Sequence, residues 1–315
     1  MAKLVAAAAT SHAFTLRGPE IWDEARINNQ KNFERKYGWF PETPKEVEQE
    51  TDEDVNLRYK NVSNSHDILV ERLKGLNLDA IILIGNDQDE EFTEQSIAPQ
   101  LAIFTGSEFT TRAGVKFKGH PELAYHLLSG TVNDGFDVTR FEGLDNGVLK
   151  AHAFGPVIER LTPEADVPVI PVYVESFRLP CPSPARCYAF GQSLAAAVES
   201  WPGDLRVAAI ASGGISHFPG SFPFQYSAEA KHGNVDHVFD RQLFEYMKQG
   251  KYDELTKLSN QDLLDHGDTE LHSWITLLGM VGETKMEELA YEPFFRAIMA
   301  MGVAYWDTKG VAAAV

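Results

Sequence analysis

Residues Leu78-Asp79-Ala80-Ile81-Ile82-Leu83-Ile84-Gly85 form an almost unbroken apolar run closed by a glycine. A run without polar alternation predicts a strand covered on both faces, which requires helices above and below the sheet. Leu4 to Ala9 and Val207 to Ile210 read the same way, and further strands are expected at 100–104, 135–140 and 167–174. Helices are expected at 52–75, 120–130, 150–160, 184–200 and 235–248. This alternation places the chain in the α/β class, as a single domain over residues 1–315 with a central, mostly buried sheet, helices on both faces and a site at one end of the sheet. Residues 15–60 are polar with interspersed aromatics and break at Pro41-Glu42-Thr43-Pro44. We expect a helix on either side of that turn, an excursion over the sheet edge suited to a lid or a subunit contact.

Composition excludes several classes of function. At 43% hydrophobic and 23% charged the chain reads as a soluble globular protein. Its net charge of −18 disfavours nucleic acid and anionic membranes, which call for clustered Lys and Arg. No apolar span reaches membrane length and no export pattern precedes Leu4, so a cytoplasmic protein is expected. The two cysteines, Cys181 and Cys187, flank a proline-rich turn with no base motif nearby, so neither a disulfide nor a nucleophile is expected.

Chemistry gathers where apolar runs end. The first run stops at Thr10-Ser11-His12, the second leads into Asn86-Asp87-Gln88-Asp89-Glu90-Glu91, and the third opens through Ser212-Gly213-Gly214 to His217. Glycines after a strand let backbone approach a ligand closely, and open α/β sheets place reactive groups there. Glu270 follows Gly267-Asp268-Thr269, where Asp268 or Thr269 suits a helix N-cap. On residue type alone two interpretations stay open. Glu270 is a first-turn carboxylate facing a helix dipole and the histidines are hydrogen-bonded core groups, or two imidazoles and one carboxylate converge as a ligand set for Fe(II). His66, His120, His126, His232, His237, His266 and His272 are expected to be structural or surface groups, and Asp236 and Asp240 an exposed acidic face. Arg112, Lys116, Lys118 and Arg186 read as solvated cations, any of which is able to hold a substrate carboxylate.

The ordered motifs Ser11-His12-Ala13, Gly85-Asn86-Asp87-Gln88, Pro121-Glu122-Leu123-Ala124-Tyr125-His126, Pro182 to Gln192, Ser212 to His217 and Thr269 to Trp274 carry a family resemblance. The chain resembles the class III extradiol ring-cleavage dioxygenases, in particular the catalytic β subunit of protocatechuate 4,5-dioxygenase, from residue 4 to about 285. The resemblance implies a mononuclear Fe(II) with dioxygen as co-substrate, a small aromatic substrate, and a homo-oligomer or a small second subunit. It assigns His12 and Glu270 as metal ligands and His217 as the acid/base. Two positions depart from the pattern: Gln88 stands where the family has the second histidine ligand, and Asn146, in Asp145-Asn146-Gly147, where it has a substrate-contacting histidine. A carboxamide offers a poorer donor than imidazole and Asn146 carries no proton to transfer. His152, six residues on, is the candidate to stand in at the substrate. Three functions follow: an extradiol dioxygenase with Gln88 as weak ligand or bypassed by Asp87, Glu90 or Glu91; a non-oxidative hydrolase or decarboxylase of an aromatic acid; or a non-catalytic subunit.

Overall fold

The computed structural model describes residues 1–92, 98–218 and 232–308. Four parallel strands occupy the centre, side by side: β1 (Lys3–Thr10), β9 (Arg206–Ser212), β2 (Ala80–Gly85) and β8 (Val169–Val174). Beyond β8, β3 (Leu101–Phe104) runs antiparallel and β6 (Thr139–Phe141) follows parallel to β3. Beyond β1, β11 (Met299–Trp306) runs antiparallel and β10 (Glu287–Phe294) pairs antiparallel with it, completing eight strands. A second small sheet orders β5 (Lys116–Lys118), β4 (Glu108–Thr111) and β7 (Val148–Leu149).

The two-sided burial expected of 78–85 is realised side chain by side chain. Ala80, Ile82 and Ile84 join one core, while Ile81 and Leu83 join the other. The first core is closed by α4 (Pro121–Asn133), α6 (Pro184–Glu199), α7 (His237–Gln249) and α10 (Leu271–Val281), through Leu127, Phe190, Phe244 and Trp274. The second is closed by α3 (Asp52–Lys74) and α5 (Gly155–Leu161), through Leu69 and Ile158. The structure therefore has the α/β architecture with helices on both faces of one large sheet. Among the described residues no helix is long and apolar enough to cross a membrane.

Several local expectations change. The helix read over 150–160 starts only at Gly155, so 150–154 leave β7 as irregular chain, and the strand read over 135–140 begins at Thr139. The α10 N-cap residue is Glu270 itself, not Asp268 or Thr269. Asp240 is not part of an exposed acidic face: it is fully buried, accepting from Ser216 Oγ at 2.7 Å and from the Tyr291 hydroxyl. Burial pushes its carboxyl up to about 7. Helices α1 (Trp22–Tyr37) and α2 (Lys45–Gln49) flank the Pro41–Pro44 turn, and Phe33 of α1 packs with Phe218, next to His217.

Helix α10 is buried along its whole length, mostly through apolar side chains, and its His272 and Thr276 are hydrogen-bonded. It crosses α6 so closely that a Cβ added to Gly191 would stand 1.9 Å from the Thr276 carbonyl oxygen, and one on Gly279 2.0 Å from that of Tyr188. Only glycine at both positions permits the crossing, and the crossing fixes the helix whose first turn begins at Glu270.

Beneath the β1 exit, Thr10 donates its hydroxyl to the Ser11 carbonyl at 3.0 Å, so it accepts from His66 Nε2 at 2.8 Å. Burial, with Arg160 nearby, pushes the His66 imidazole down to about 4. Between pH 6.5 and 4 the unfolded chain then binds a proton that the folded chain refuses, so this contribution is complete above pH 6.5 and is lost as pH falls. The expected cost at pH 4 is about 3 kcal/mol. Denaturant titrations at pH 7 and pH 4 on wild type and His66→Gln test this; an equal acid sensitivity of both forms refutes it.

Candidate active site

The parallel strands β1, β9 and β2 end at the same edge of the sheet and deliver His12, His217 and Gln88 there; the start of α10 delivers Glu270. All the sharpest groups meet at the Glu270 carboxylate, which is 1% exposed. His12 Nε2 lies 3.4 Å from Oε2, and His217 Nε2 lies 3.7 Å from Oε1. Gln88 Nε2 donates to Oε1 at 2.5 Å and Asn86 Nδ2 at 3.5 Å, while the Gly214 backbone N–H donates to Oε2.

The Gly213-Gly214 break exists for this approach. A Cβ on Gly213 would sit 2.5 Å from the Glu270 carbonyl oxygen, and one on Gly214 would sit 2.7 Å from the His217 ring. Trp274 Nε1 donates to the Gly213 carbonyl at 3.1 Å and ties the loop to α10. The next residues are held from beneath. Ser216 Oγ donates to Asp240, its carbonyl accepts from Ala300 N at 2.9 Å, and His217 N donates to the Gly267 carbonyl at 3.0 Å.

Hydrogen bonds assign the protons on both imidazoles. Ser212 gives its hydroxyl proton to the Ala153 carbonyl, so at 3.0 Å from His12 Nδ1 it is the acceptor, and Nδ1 carries the proton. His217 Nδ1 likewise donates to the Ile215 carbonyl at 2.8 Å. Both rings therefore turn Nε2 toward the carboxylate. Burial works against the charge on Glu270, yet His12 and His217 hold its carboxyl well below the usual range. Burial also opposes protonation of His217, and the facing Glu270 charge more than offsets it, raising the imidazole.

Loop 86–92 is pinned residue by residue. Asp87 accepts from the backbone of Glu90, Glu91 and Phe92, Asp89 pairs with Arg178, and Glu91 accepts from Lys150 N at 2.8 Å. Glu90 takes His152 Nδ1 at 2.6 Å and Arg112 at 2.8 Å. None of these acids is left to replace Gln88 beside Glu270, contrary to the bypass considered from sequence. His152 is brought in: its ring stands edge-on to that of His12, centroids 4.9 Å apart. Asn146 is placed on an exposed turn, at φ 53°, with its amide donating to Asp145. Among the described residues no three His, Cys, Asp or Glu side chains already stand as a metal-ligating cluster.

The sequence profile described as the catalytic LigB subunit of aromatic ring-opening dioxygenase matches residues 44–302. The chain belongs to the LigB family. A gallate dioxygenase of Pseudomonas putida is 39% identical over 103 residues, 31% of this chain and 29% of that protein, so the chain matches under a third of that relative's length. The crystal structure of the uncharacterized protein JW3007 from Escherichia coli K12 is similar in fold, with a TM-score of 0.50 and 15% identity over 77% of this chain and 91% of that one.

Within this LigB-family chain, three groups stand otherwise than the sequence suggested. Asp240 supports the His217 loop from a helix whose buried stripe, Leu243, Phe244 and Met247, includes it at helical spacing, a signal that was legible. Glu90 reaches His152 across 62 residues, for which no sequence signal exists. Cys181 does have a base nearby, its sulfur 3.9 Å from His272 Nε2, but burial pushes the thiol up to about 12.

Proposed function

We propose that this chain is an extradiol ring-cleaving dioxygenase that opens a catecholic or related hydroxylated aromatic acid with dioxygen at a single iron(II). The observation that carries this reading is the convergence of two imidazole Nε2 atoms on the two oxygens of one buried carboxylate. Family membership supplies the reaction class, and the gallate dioxygenase relative supports a hydroxylated aromatic acid as substrate.

The donor set fits a divalent cation. His12 donates from Nδ1, so its neutral ring would offer Nε2 to a cation, and Glu270 is held as an anion. These two residues would hold the metal, with Gln88 beside them. Iron(II) bound there would supply Lewis acidity to a diol substrate and a redox centre for dioxygen. The protein's own groups do the rest. His217 accepts a phenolic proton at Nε2 and returns it later, while the Ile215 carbonyl keeps Nδ1 protonated throughout. Amide donors from Gln88 and Asn86 fix the Glu270 carboxylate, and its burial keeps water from competing for it. The reading includes a second copy or a small second subunit as partner. It also includes a cytoplasmic setting, where Cys181 and Cys187 stay free thiols as they are here.

Oxygen-electrode traces with catechol, protocatechuate and gallate, together with anaerobic iron titration, test the reading. Uptake of one dioxygen per diol in iron-loaded protein is expected; no uptake with any diol and no iron binding refutes it. Gln88→His is expected to raise Fe(II) affinity about tenfold or more, because imidazole suits iron better than a carboxamide. One observation favours a non-oxidative alternative, the 2.5 Å hydrogen bond that spends the Gln88 amide on Glu270. In that case Gln88→His tightens metal binding without any gain in oxygen uptake.

A further inference from the structure

His152 has the surroundings of a metal-ligating histidine. Its Nδ1–H and its backbone N–H both donate to the same oxygen of Glu90, at 2.6 and 2.7 Å, and Arg112 anchors the other oxygen at 2.8 Å. Because a carboxylate only accepts, Nδ1 carries a proton, so the lone pair of the neutral ring lies at Nε2. Among the described residues Nε2 has no hydrogen-bond partner, the side chain is 34% exposed, and its ring lies against His12. His12 is prepared in the same way, Nδ1 committed to Ser212 and Nε2 aimed at Glu270. Ligating histidines carry this outer arrangement, in which an acceptor on one ring nitrogen sets the tautomer and raises the basicity of the other.

Gln88 is engaged otherwise. Its amide nitrogen is turned onto Glu270 Oε1 at 2.5 Å, where it orients the carboxylate. Two neutral imidazoles and one carboxylate make the ligand set that suits non-haem Fe(II). We propose that His152 supplies the second imidazole donor of the metal centre formed with His12 and Glu270, that Glu90 holds it in the ligating tautomer, and that Gln88 positions Glu270 without being the second nitrogen's substitute. This rests on the metal-dependent reading above, and it moves His152 from substrate contact to ligand.

The test is anaerobic Fe(II) titration of the purified chain and its variants, with thermal melts to confirm folding, and pulsed EPR of the iron–nitric oxide adduct to count coordinated imidazoles. His152→Ala is expected to weaken Fe(II) binding by about 100-fold or more, and Glu90→Gln by about 10- to 100-fold. Gln88→Ala is expected to cost less than about tenfold. The adduct should report two imidazoles in wild type and one in His152→Ala. If His152→Ala melts early, His152→Asn, which keeps the backbone bond to Glu90, takes its place. Wild-type affinity in both His152 variants, or two imidazoles persisting without His152, overturns the assignment while leaving the dioxygenase reading intact. A wild-type chain that binds no Fe(II) overturns both.

Discussion

Glu270→Ala is expected to abolish metal binding and to lower oxygen uptake by at least about a thousandfold, because one side chain joins every element of the site. Its carboxylate receives Gln88, Asn86 and Gly214, and faces His12 and His217. Removal leaves these donors buried without their acceptor. Leaving a buried donor unsatisfied costs about 1–3 kcal/mol, so a lowered melting temperature accompanies the loss of activity. The stabilising share has a defined pH dependence. The carboxyl is held well below its ordinary value, so the contribution is present above the unfolded carboxyl range and disappears as pH falls through the folded one. Iron analysis, oxygen uptake and melts between pH 7 and 3 check all three. Retention of iron by Glu270→Ala removes this residue from the metal centre.

His217→Ala is expected to lower kcat by about two to four orders of magnitude with iron content unchanged. The loss falls on kcat because the ring faces Glu270 Oε1 at 3.7 Å through Nε2 while Nδ1 donates to Ile215, so removing the ring removes the proton carrier and not a ligand. The Ser216 anchor to Asp240 and the backbone bond to Gly267 survive the substitution, which keeps the loop in place. Unchanged turnover with the preferred diol eliminates His217 as the proton carrier.

The parallel centre of the fold was legible because buried strands and amphipathic helices leave periodic traces. The expected 52–75 and 184–200 helices are α3 (Asp52–Lys74) and α6 (Pro184–Glu199) almost to the residue, and 167–174 contains β8. Strands β10 and β11 were not expected. Met299–Trp306 is apolar throughout and rich in Met and Ala, so it offers no period-2 alternation, and only its pairing with β1 and β10 makes it a strand. At the site, His12, His217 and Glu270 were visible as groups at strand exits and a helix start. Their supports were not, because Ser212, Asp240 and Glu90 act through contacts made only in the folded chain. Asp240 shows the limit of pattern reading: its i,i+4 partner Asp236 suggested a solvated face, whereas the same helix turns Asp240 inward with Leu243.

The placement of β1 has a consequence for how the chain is made. This strand lies between β9 and β11, so both of its edges are paired by segments that follow residue 205. At about 5–20 residues per second of synthesis, the first strand waits about 10 seconds or more for its first neighbour and longer for its second. An unpaired strand of strong β-formers would recruit neighbouring chains in that interval. Ala6-Ala7-Ala8-Ala9 are weak β-formers with little side chain to zip, which suits a strand that must stay single until late. The same delay keeps His12 apart from Glu270 on the growing chain, so no nascent fragment short of α10 can bring the two side chains together.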